Sequence, residues 1–73
     1  MMLDKLTIVY KQDQLLKLGL PVLVWLNCEN KYQWECKSIG DNLKRTYVCS
    51  GFQFDDYWEA LQDGIEVIEN NLR

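Results

Sequence analysis

The sequence predicts a small α+β domain: an antiparallel meander of three to four strands, packed on one face by a C-terminal amphipathic α-helix, with a short N-terminal helix before it. Three observations carry this. The runs 22–28, 32–38 and 43–50 are rich in β-branched and aromatic residues, and the loops between them suit only antiparallel neighbours. Residues 55–72 repeat their apolar positions with a helical period. The length of 73 residues allows one domain, spanning 1–73, and not two.

The N-terminal stretch reads two ways. Leu6, Ile8 and Tyr10 alternate with Thr7, Val9 and Lys11, which suits a strand. Leu15, Leu16 and Leu18 then lead into Gly19-Leu20-Pro21, which suits a short helix over 12–18 with a glycine C-cap. Strand followed by short helix is the expectation. A single helix over 4–18 is the alternative.

Register follows from which faces are apolar. In 32–38 one face carries Tyr32, Trp34 and Cys36, and the other carries Gln33, Glu35 and Lys37. A three-residue loop, Glu29-Asn30-Lys31, pairs Cys28 with Tyr32, Leu26 with Trp34 and Val24 with Cys36. The second loop is Gly40-Asp41 or Gly40-Asp41-Asn42; the shorter form pairs Cys49 with Tyr32.

In the final helix Trp58, Leu61, Ile65, Ile68 and Leu72 share one side, flanked by Tyr57 and Val67. Asp56 and Glu59 resemble a capping box, with Asp in place of Ser or Thr. Ala60, Gly64 and Val67 form a small-residue edge. Glycine inside a helix costs about 1 kcal/mol against alanine, so close backbone approach is expected there, to the sheet, to the N-terminal segment or to a helix of a second chain.

Chemistry is sparse. The chain has no histidine, which removes the usual general base and the Ser–His and Cys–His nucleophile pairs. There is no phosphate-cradling glycine loop. Cys28, Cys36 and Cys49 lack the close spacing of zinc ligands, and the expected register keeps them too far apart for a disulfide. They read as three core thiols. No catalytic residue, metal or cofactor is expected. An odd number of thiols suits a reducing cytoplasm. No apolar run approaches the ~18 residues of a membrane span, and the N-terminus lacks a signal-peptide pattern.

Charge is the feature that points to a partner. Net charge is −3, which argues against direct nucleic-acid binding. The acidity is concentrated: residues 1–54 carry +2, and residues 55–73 carry −5. Glu59, Asp63, Glu66 and Asn70 line up at helical spacing, with Asp56 at the helix start. No Lys or Arg stands three or four residues away within the helix to pair with them. Lys44-Arg45 with Tyr47 is a weak basic signal, because the two bases alternate across a strand.

The tail from Glu59-Ala60-Leu61 through Ile65 to Ile68 and Leu72, after three strands, resembles the β–β–β–α ending of HicB-type antitoxins. That resemblance implies an order of elements and carries no functional residue. The functional expectation is a small cytoplasmic protein-binding module, an adaptor or inhibitor, whose acidic helix face meets a basic partner such as a nucleic-acid-handling protein. The alternative is a structural or homo-oligomeric subunit, for example a homodimer formed through the N-terminal segment and the Ala60–Gly64 edge.

Overall fold

A computed structural model describes residues 3–37 and 47–71. The elements are α1 (Lys5–Lys17), β1 (Val22–Leu26), β2 (Tyr32–Lys37), β3 (Tyr47–Cys49) and α2 (Tyr57–Asn71). The strands form one antiparallel sheet in the order β1-β2-β3. Helix α2 packs across β1 and β2, and α1 lies against α2 and the end of β1. The α+β meander covered by a C-terminal helix is therefore as the sequence predicts.

The expectation of a strand followed by a short helix is corrected, and the alternative of a single helix over 4–18 holds. Residues 5–17 form one continuous helix, and no strand precedes it among the described residues. Both ends are built into the sequence. Asp4 is the N-cap: its carboxylate accepts from the Thr7 backbone N–H and from the Thr7 hydroxyl, each at 2.9 Å. At the other end Leu20 N–H donates to the Leu15 carbonyl and Gly19 N–H to the Leu16 carbonyl. Gly19 takes φ 81°, a left-handed conformation that suits glycine. Only Ile8 and Leu15, two turns apart, are buried along α1. The alternation over 6–11 arises because the helix is apolar on two sides, not because it is extended.

The β1–β2 register also differs from the expectation. Val24 faces Trp34 and Leu26 faces Tyr32, a shift of two residues. The cause is Asn27. Its side-chain oxygen accepts from the backbone N–H of Glu29 and of Lys31, at 2.8 and 3.1 Å, and Asn30 adopts φ 60°. This asparagine-held turn ends β1 at Leu26. A shift of two preserves side-chain parity, so Val22 and Val24 still share the face of Trp34 and Cys36. Cys28 falls in the turn and is exposed.

Cys49 pairs with Glu35, not with Tyr32, which sends its side chain to the outer face. It is exposed too, so of the three expected core thiols only Cys36 is buried. Burial raises the Cys36 thiol above its ordinary pKa by desolvation. The Gly40-Asp41 turn, the Lys44-Arg45 pair and Leu72 lie outside the described residues.

The core is Ile8, Leu15, Val22, Trp34, Cys36, Leu61, Ile65 and Ile68. Gly64 explains how α2 comes so close to the sheet. A Cβ there would lie 2.8 Å from both Trp34 and Val22, closer than carbon atoms pack. Ala60 and Gly64 are both buried inside this chain, and Gly64 lies against the sheet, so the small-residue edge serves packing within the chain. No described helix is long and apolar enough to cross a membrane.

Candidate functional site

Each acidic residue singled out from the sequence sits on or beside α2, but they do different things. Asp56 is the N-cap, its Oδ2 accepting from the backbone N–H of Trp58 at 3.0 Å and of Glu59 at 3.1 Å. That satisfies two of the donors a helix start leaves unpaired. Asp63 turns toward the sheet: Oδ2 accepts from the indole N–H of the buried Trp34 at 2.8 Å. The hydrogen bond supplies the partner a buried indole needs. Asp63 is therefore tied to the fold and is only half-exposed.

Glu59, Glu66 and Asn70 form the solvent side of α2. Glu66 accepts a hydrogen bond from the Gln62 amide at 3.0 Å. No cation is within ion-pair distance of Glu59 or Glu66 among the described residues. The fold spends its lysines elsewhere. Lys11 pairs with Glu69 at 3.3 Å, Lys31 with Asp55, and Lys17 with Asp13 at 3.1 Å. The Lys5 ammonium stands 5.2 Å from the ring centroid of Trp58. Sequence reasoning restricted to one helix missed the Lys11–Glu69 and Lys31–Asp55 pairs, because both partners come from distant segments.

An aromatic cluster stands at the start of α2. Trp58, Tyr57 and Tyr32 stack edge to face, with centroids 5.2 and 6.0 Å apart. Phe54, just before α2, exchanges backbone hydrogen bonds with Tyr32.

A second surface was not singled out from the sequence. Helix α1 leaves Leu6, Val9, Tyr10 and Leu16 exposed, and β1 leaves Leu23, Trp25 and Leu26 exposed. Leu6 is 84% exposed. Between α1 and β1 lies a hollow of about 190 Å³, walled by Val9, Leu16, Pro21 and Leu23 among others. That is below the roughly 300–1,000 Å³ of small-molecule pockets. Its polar wall is Gln12 and Asp13. Among the described residues no three metal-ligating side chains come together. The signal for this surface was present in the sequence as the leucines of 6–18, which exceed what one buried helix stripe can use.

No family model, curated protein or solved structure matches the chain.

Proposed function

We propose that this chain is a small protein-binding module, an adaptor or inhibitor, that docks a basic partner protein on the outer face of α2. Glu59 and Glu66 are the electrostatic centre, with Asn70 beside them as a neutral hydrogen-bonding group. The observation that carries this reading is the sorting of charge. Asp13, Asp55 and Glu69 have lysine partners, whereas Glu59 and Glu66 face solvent with none among the described residues. An uncompensated field of one sign on a rigid helix speeds encounter with a complementary surface and selects against acidic competitors. Proteins that handle nucleic acid carry such basic surfaces and are the partner class this charge favours. Exposed free thiols at Cys28 and Cys49 support the reading of a reducing, cytoplasmic setting.

The test uses two variants side by side on the captured partner. Glu59→Lys with Glu66→Lys should weaken binding at least about tenfold and remove most of its salt dependence. Circular dichroism should stay unchanged, because neither carboxylate holds the fold together. Asp63 is left intact, since replacing it would strip the Trp34 indole of its acceptor. A partner bound with equal affinity by wild type and the double variant would overturn the proposal.

A further inference from the structure

We propose that the free edge of β1 is a self-association seam, at which a second copy of the chain adds its own β1 antiparallel and joins the two sheets into one. The sheet order leaves β1 at an edge. The hydrogen-bonding pattern says which groups are open there. Tyr32 and Trp34 turn their backbone groups away from β1, toward Phe54 and Ser50. Their cross-strand neighbours Leu26 and Val24 therefore turn theirs away from β2, to the open side. Val22 does the same, and its carbonyl is met by the Gln12 amide at 2.8 Å. Among the described residues Val24 and Leu26 have no such partner.

Edge strands of monomers are normally protected by charge, proline or a bulge. The five residues Val22–Leu26 read Val-Leu-Val-Trp-Leu and hold none of these. The strand is neutral, so a second copy meets no like-charge repulsion at the seam. The outward backbone groups fix the register. Val24 exchanges hydrogen bonds with Leu26 of the second copy, and the two-fold axis passes at Trp25. The Gln12–Val22 bond is left in place. The two Trp25 rings then face each other across the axis, as a non-hydrogen-bonded pair with close Cβ atoms.

The apolar supply matches the occupant. Leu23, Trp25 and Leu26 flank the seam, and Val9 and Leu16 wall the hollow at its Val22 end. Leu26 of the second copy arrives against Val24, and its Asn27 and Cys28 come opposite Leu23 and Val22 beside that hollow. The two-fold axis presents this apolar set twice, once from each copy. A two-fold pairing is the commonest way for one chain to cover such a face. The seam is separate from the acidic face of α2, so the two proposals stand or fall independently.

Sedimentation equilibrium of the full chain at tens of micromolar decides it. Wild type should run at twice 8.7 kDa. Trp25→Lys places an edge charge on the axis and should raise the dissociation constant at least about thirtyfold with unchanged circular dichroism. As a second arm, Trp25→Cys in a Cys28→Ser, Cys49→Ser background should form a covalent dimer through residue 25 on mild oxidation. A wild-type monomer at these concentrations overturns the proposal, including one whose edge instead accepts a strand from another protein. A dimer that survives Trp25→Lys and fails to cross-link at residue 25 overturns it equally.

Discussion

Helices α1 and α2 are similar in length, 13 and 15 residues, and opposite in design. Helix α2 buries Ala60, Leu61, Gly64, Ile65 and Ile68 and turns a polar face to water. Helix α1 buries only Ile8 and Leu15 and leaves Leu6, Val9, Tyr10 and Leu16 exposed. A one-sided helix is complete within its own chain. A two-sided helix buries one stripe and offers the other. In this molecule the finished helix carries the charge and the unfinished one carries the apolar surface.

The sharpest way to break that comparison is to truncate one side chain on each kind of face. Ile65→Ala in α2 and Ile8→Ala on the inner side of α1 should each cost about 2–5 kcal/mol in urea denaturation, through lost burial and a cavity. Leu6→Ala on the outer side of α1 should cost less than about 0.5 kcal/mol under conditions where the chain is monomeric. Equal losses at Leu6 and Ile8 would show that the outer stripe is covered after all.

A smaller effect tests how tightly α2 is seated. Gly64→Ala gains about 1 kcal/mol of helix propensity. It also drives a methyl group into Trp34 and Val22 at 2.8 Å, a kind of overpacking that costs typically about 1–3 kcal/mol. Net destabilisation on the order of 1 kcal/mol is expected. A rise in melting temperature would mean that α2 can lift off the sheet without loss.

The smallest effect belongs to the start of α1. Hydrogen bonds from Thr7 hold the Asp4 carboxyl below its ordinary pKa of 3.8. A lowered pKa in the folded state means that this cap stabilises α1 above pH 3.8 and is lost as the pH falls from there through the folded value. The Thr7 amide resonance should follow that titration, and Asp4→Asn should abolish it. A Thr7 shift that is flat through this range would remove the cap from the account.

What the sequence made legible divides along the same line. The helix over 57–71, its Asp56 cap and its apolar stripe could all be read, because one period dominates the segment. The glycine C-cap at Gly19 was legible for the same local reason. The start of α1 was not, because Leu6, Ile8 and Tyr10 mimic a strand when a helix is apolar on two sides. The β1–β2 parity was legible and the exact pairing was not. Apolar matching alone favours pairing Leu26 with Trp34, and the side chain of Asn27 decides otherwise. On the acidic face, Glu59, Glu66 and Asn70 lie where helical spacing puts them. Asp63 departs because it answers the Trp34 indole, a partner 29 residues away that no helical wheel contains.

The backbone exchange between Tyr32 and Phe54, at 2.8 and 2.9 Å, bears on the order in which the molecule opens. Ser50 already grips Trp34 on the same strand, so β2 is fastened twice to the segment that leads into α2. Helix α2 cannot swing away unless the sheet unzips with it. Helix α1 is fastened by side chains, Gln12 to the Val22 carbonyl and Lys11 to Glu69, and joined by the short Gly19–Pro21 link. Its amides can therefore exchange with solvent through a local opening, while those of β2 and α2 wait for global unfolding. Each such opening also releases the Val22 carbonyl and lengthens the bare edge of β1, so the helix that opens before β2 and α2 governs how much strand a neighbour can find.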